Sequence, residues 1–190
     1  MKIFDFDKAY SQCITPKIEN LLKKIHIYRN DFKLSDIHKI LSTQAFSESI
    51  ESSNRIEGLT TRDQRLHQLV NYEIEPESLS EKEIAGYRDV LALVNENFEY
   101  MPLKTSIILQ LHRDLYKYED ISIGGKYKNG DNQIIETDEN GIKKLRFSPL
   151  PAWETPRAME ILCENYNIAL NHQEYEPLVL IPIFIKKISE

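Results

Sequence analysis

The chain is expected to fold as a mainly α protein with one β-hairpin, and three features of its 190 residues predict that class. Apolar residues recur at three- and four-residue spacing through most of its length, which gives each helix one apolar side. One stretch, Asp131 to Phe147, breaks that period with two short runs rich in Ile, Thr, Leu and Phe around Asn140-Gly141, a dipeptide suited to a hairpin turn. Prolines at 149, 151 and 156 follow and remove the backbone donors that a continuing ladder would need.

From Thr15 the positions Ile18, Leu21, Leu22, Ile25 and Tyr28 predict a helix with one buried face, Thr15 as N-cap and Pro16 in the first helical position. A second helix begins near Ser35, carries Ile37, Ile40, Leu41, Ala45 and Phe46, and runs to Ile56, where Gly58 supplies a left-handed stop. Leu66, Leu69 and Val70 make a short third segment, and EIEPESLS reads as a loop. Ser80 with Glu83 has the spacing of a capping box for a helix striped by Ile84, Tyr87, Leu91, Val94 and Phe98. Thr105 opens another with Ile108, Leu111 and Leu115, and Thr155-Pro156 starts one with Met159, Leu162, Cys163, Tyr166 and Leu170 inward. The last segment, EPLVLIPIFIKKISE, is apolar on every side through Ile185, which suits an element surrounded by partners.

Hydrophobic residues at 41% and charged ones at 28% are ordinary for a soluble globular protein, so one domain is the default. A net charge of −6 gives no basic field for phosphate backbones, and nucleic acid is not expected as a partner. Cys13 and Cys163 are isolated, and the N-terminus alternates apolar with acidic residues where a signal peptide needs an unbroken apolar run. A reducing, cytoplasmic setting is therefore expected, with no membrane partner, since no run reaches the roughly 18 apolar residues of a membrane helix.

Few chemical groups cluster. His26, His38, His67, His112 and His172 sit on separate elements with no HExxH spacing, which disfavours a base or metal ligand among them. The loop GGKYKNG has glycines and lysines but lacks the GxxxxGK[ST] spacing, and reads as a connector. Trp153 is expected to anchor its loop against the core. In SSNRIEGLTT, Ser53, Glu57 and Gly58 fit the pattern [ST]xxxE[GN], with Arg55 between them. By itself that pattern arises by chance in about one chain in six of this length, and TPKIEN, from Thr15, fits it too. A carboxylate at the negative end of a helix is slightly unfavourable unless something compensates it.

Taken together, SSNRIEGLTT, RLHQLV, EIAGYRDVL, IILQLHRDLY, IGGKYKNGDNQI, LRFSPLPAWETPRAM and EPLVLIPIFI occur in an order and spacing that resembles the Fic (Fido) family, from about Ser42 to Ile185. The resemblance implies a Fic-like helical bundle with one β-hairpin. Residues 1–75 would be a helical region with an inhibitory helix, and 76–190 the first part of the Fic core, including a flap at about 126–147. It also implies the chemistry of a protein adenylyltransferase, AMPylation of a target hydroxyl using ATP and Mg²⁺. Ser53, Glu57 and Gly58 would then form the inhibitory motif, whose glutamate occupies the space of the ATP γ-phosphate and pairs with a catalytic arginine. Asn132, Ile134, Ile135, Leu145, Arg146 and Phe147 would form the flap that holds a target protein as an added strand.

The family's motif HxFx[DE]GNGRxxR is absent from these residues. Its histidine takes a proton, its acidic residue holds Mg²⁺, and its glycine turn and arginines grip phosphate. No catalytic or metal-binding residue can therefore be assigned, and the resemblance implies a chain truncated, or incomplete at the C-terminus, before its active site. Without those groups AMP transfer by this chain alone is not expected. ATP and Mg²⁺ would belong to the intact, autoinhibited nucleotidyltransferase. Two other readings stay open, a non-catalytic binding module and a fragment that inhibits another Fic protein in trans, and a homo-oligomer is compatible with each. A plain helical scaffold would make the series of matching blocks a coincidence.

Overall fold

The computed structural model describes residues 4–31, 37–59, 61–119, 122, 124–172 and 175–188, with side chains left aside at 29–31 and 37–43. Among them are eight α-helices and one two-stranded hairpin, so the protein is mainly α with a single β-hairpin, as its sequence predicts. Contacts group the chain into two compact units: 1–27 with 103–105 and 127–190, and 28–102 with 106–126. The division expected at 75/76 falls inside the second. Among the described residues no helix is long and apolar enough to cross a membrane.

In the first unit, α1 (Phe6–Cys13) occupies a stretch that periodicity left without an element. Asp5 caps it, accepting the Lys8 N–H at 3.0 Å. Phe6 is buried and meets the ring of Tyr166 edge-on; the helix is thus anchored by a partner distant in sequence. In α7 (Thr155–Asn171) the buried positions are Leu162, Cys163, Tyr166 and Ala169. Leu170, expected inward, is exposed, because α1 and α8 (Pro177–Ile188) both pack on α7 and shift its covered side by one residue. α8 itself buries Val179, Leu180, Ile183 and Phe184 and leaves Leu178, Ile181 and Ile185 between 48% and 58% exposed. It is therefore covered on one side only, where its composition predicts partners all round.

The helix α2 (Pro16–Asp31) starts as expected, with Thr15 Oγ1 accepting the Ile18 N–H at 3.3 Å. Its stripe is less buried than predicted. Ile18 and Leu22 are half-buried, but Leu21, Ile25 and Tyr28 are exposed. Spacing fixes which residues share a side and says nothing about what covers that side.

In the second unit, α3 (Ile37–Ile56), α4 (Asp63–Val70) and α5 (Leu79–Asn97) pack around Ile50, Val70 and Ile84, with Phe46, Leu59, Leu66, Tyr87 and Leu91 at the margin. Ser35, expected to open α3, lies outside the described residues. The predicted cap of α5 is corrected. Ser78, not Ser80, accepts the N–H of Glu81, and the Glu81 carboxylate returns to the N–H of Glu77. The S-x-x-E spacing is used two residues earlier, where the glutamate also finds Arg65 and Thr61. A 3₁₀ turn, Phe98–Tyr100, ends this run. α6 (Thr105–Leu115) begins with a residue grouped in the first unit and continues in the second. On α5, a Cβ added to Gly86 would lie 1.9 Å from the Leu115 carbonyl oxygen, so only glycine permits this backbone approach to the end of α6.

Candidate functional site

At the end of α3 the Gly58 N–H donates to Arg55 O at 3.1 Å and the Leu59 N–H to Asn54 O at 2.9 Å. Gly58 has φ of 76°. This paired closure is the Schellman arrangement, and it requires a left-handed residue at position 58. Leu59 then packs on the Ile50, Val70 and Ile84 core, which fixes where the helix stops. Glu57 is exposed, and no ion pair or side-chain hydrogen bond engages it among the described residues. Arg55 is also exposed; two residues apart on a helix, it and Glu57 do not face each other. The Ser53 hydroxyl accepts the phenol proton of Tyr87 at 3.0 Å, joining α3 to α5. Ser53, Glu57 and Gly58 therefore stand together at one firmly closed helix end.

Behind that end lies a cluster that sequence spacing missed. The buried Glu81 carboxylate takes Arg65 through two bonds, at 2.6 and 2.8 Å, and accepts the Thr61 hydroxyl at 2.9 Å and the Glu77 N–H at 2.9 Å. These donors, Arg65 foremost, outweigh burial and hold its carboxyl far below the usual range. Thr61 and Arg65 lie just beyond the Glu57-Gly58 turn, so the cluster ties the exit from α3 to the start of α5. The available signal was the capping pattern, read in the wrong frame.

A second missed cluster centres on Arg88, which is 3% exposed. It donates to Asp89 at 2.7 Å, to the Leu69 carbonyl and to the Tyr118 hydroxyl, and its guanidinium stacks 3.6 Å from the centre of the Tyr72 ring. Tyr72 is a non-glycine residue with φ of 60°, a conformation that costs energy in isolation. Asp89 also receives Tyr118 at 2.7 Å and pairs with Lys117. Burial would raise the Asp89 carboxyl, but Arg88, Lys117 and Tyr118 together hold it at about 2. Every charge here has a partner, which marks a strut between the end of α4, α5 and the segment after α6.

The loop GGKYKNG is a connector in this structure. A Cβ on Gly124 would sit 2.7 Å from the Arg113 Cα, and the Gly125 N–H donates to Nδ1 of His112 at 3.2 Å. Gly124 and Gly125 pack closely on α6, and the Gly125 N–H is already engaged. Among the described residues no group of three or more His, Cys, Asp or Glu side chains is placed to hold a metal. No step is assigned through ATP or Mg²⁺. His26 pairs with Glu176 at 2.8 Å, His67 with Asn71, and His172 stacks on Tyr175; the side chain of His38 lies outside those described.

In the first unit, β1 (Ile134–Thr137) pairs antiparallel with β2 (Lys143–Phe147). The turn is closed by the Gly141 N–H on Asp138 O at 2.9 Å, with Gly141 at φ of 77°. Asp138 Oδ1 also accepts the N–H groups of Asn140 and Ile142. The connection is thus longer than a two-residue turn, with glycine in its left-handed position. Register runs Ile134 to Phe147, Ile135 to Leu145, Glu136 to Lys144 and Thr137 to Lys143, leaving Arg146 as an extra residue at a bulge. Ile134, Ile135 and Leu145 are more than half exposed, Phe147 is 36% exposed, and Asn132 just ahead of β1 is exposed. At the hairpin base Lys128 donates to Leu150 O and the Ala152 N–H to Asp131 Oδ1. Trp153, expected in the core, is 79% exposed. The bonds of Glu154 and Thr155 to Pro151 O close the turn into α7 and leave the indole on its outer side.

No protein-family model matches the chain, and no curated protein matches it.

Proposed function

We propose that this chain is the regulatory and target-docking part of a Fic-like protein adenylyltransferase, in which Glu57 is the inhibitory carboxylate and the 132–147 hairpin receives the target segment. The observation that carries the reading is the end of α3. A carboxylate stands exposed at the negative helix end, without an ion pair among the described residues, on a turn closed by Gly58 and braced by Ser53, Tyr87 and the Glu81 cluster. A charge used for local stability would be paired or placed at the other helix end. Held there, it is suited to oppose a triphosphate and to occupy the cation that would clamp one. Transfer of AMP needs the proton acceptor, metal ligand and phosphate grip of HxFx[DE]GNGRxxR, which these residues do not include.

Two assays test this. The purified chain with labelled ATP and candidate target proteins is expected to give no transfer, and label on a target would overturn the account. Added to a Fic adenylyltransferase that carries the full motif but no inhibitory helix, the chain is expected to lower its rate, and Glu57→Gly to abolish the effect. Equal inhibition by both forms would remove Glu57 from the role. A second reading, a binding module without catalysis, is favoured by the hairpin, whose strands are exposed along their whole length.

A further inference from the structure

The hairpin divides its charges by strand. Within five residues β2 carries Lys143, Lys144 and Arg146, while β1 carries only Glu136, and Asp138 and Glu139 lie in the turn. Arg146 reaches Glu136 at 3.2 Å. Lys143 and Lys144 are exposed and have no ion pair among the described residues. The whole chain has a net charge of −6, so attraction for anions is a property of this strand and not of the molecule.

Lysines on an edge strand commonly prevent unwanted pairing. That role alone leaves the other residues unexplained, because an edge meant to stay empty gains nothing from Ile134, Ile135 and Leu145 standing more than half exposed between the charges. The two features agree if the edge is selective. A second copy of β2 would bring Lys and Arg against Lys and Arg, which opposes pairing of two such edges. A strand with carboxylates beside Lys143 and Lys144 and an apolar residue beside Leu145 meets no such opposition. The outer edge of β1, beside Glu136 and the turn carboxylates, repels the same strand.

Resting on the reading that the hairpin receives a target segment, we infer that the outer edge of β2 selects an extended acidic segment of its partner protein. Main-chain bonds supply the pairing and Lys143 and Lys144 the choice. Fluorescence anisotropy of the full chain with short labelled peptides tests it, using Val-Glu-Glu repeats, which can set carboxylates beside both Lys143 and Lys144 and Val beside Leu145, the same with Gln for Glu, and the same with Lys. The Glu peptide is expected to bind about tenfold more tightly than the Gln peptide at low salt, with the difference shrinking as salt is added. In the Lys143→Glu, Lys144→Glu double variant the order should invert in favour of the Lys peptide, with an unchanged circular dichroism spectrum. Equal binding of the Glu and Gln peptides, lost on Leu145→Pro, overturns the charge preference and leaves hairpin docking standing. Absence of binding by any peptide, or undiminished binding of a backbone N-methylated Glu peptide, removes strand docking and this inference with it.

Discussion

Glu57 and Glu81 show how one residue type takes opposite parts within 24 positions of each other, roughly seven helical turns of chain. Glu81 is buried and consumed by four donors. Replacing it with alanine leaves the Thr61 hydroxyl, the Glu77 N–H and the Arg65 guanidinium without their acceptor, and should cost about 2 kcal/mol in a urea titration. Glu57 is exposed beside helix carbonyls that repel it. Glu57→Gln is therefore expected to raise stability, by about 0.3–1 kcal/mol at low salt, and a loss of stability would mean the carboxylate has a local structural partner. Gly86 is the third residue whose identity is dictated. Gly86→Ala forces α5 away from the Leu115 carbonyl and should destabilise by about 1–3 kcal/mol, although alanine is the better helix former.

Among the elements, α8 separates composition from environment most clearly. Leu180 is fully buried and Ile181, the next residue, is 48% exposed. Leu180→Ala should cost about 2–5 kcal/mol, whereas Ile181→Gln should change the unfolding midpoint by less than about 0.5 kcal/mol. Equal effects would show that the outer side of α8 is covered in solution. The Arg88 and Asp89 strut makes a pH prediction. The Asp89 carboxyl is held at about 2 against an ordinary 3.8, so the folded state binds its proton less readily than the unfolded chain. The resulting stability is present above about pH 4 and is lost as pH falls towards 2. Urea midpoints measured across that range should fall more steeply for the natural chain than for Asp89→Asn.

For the whole molecule, the decisive sequence fact is what its residues can and cannot hold. On the proposed reading, ATP with Mg²⁺ at millimolar concentration should leave the thermal midpoint unchanged, because a ligand that binds only the folded state must raise it and the phosphate-gripping motif HxFx[DE]GNGRxxR is not among these residues. A clear rise would overturn that reading. The helices from Pro16 and from Thr155-Pro156 were legible because apolar period and N-terminal proline act locally. The same is true of the hairpin and of the Gly58 stop, since a left-handed turn is a property of a few adjacent residues.

By itself, then, the sequence determined the mainly α class, the starts of α2, α6 and α7, the place of the hairpin, and the closed turn that carries Glu57. Tertiary structure decided the rest. It chose Ser78 over Ser80 as a cap, turned Ala169 inward, gave Gly86 its reason, and gathered Arg65, Thr61 and Glu81 behind the α3 exit. The physical reason is common to all of them: each depends on a partner supplied by another segment, and spacing along one chain records which residues share a side but not what that side will meet.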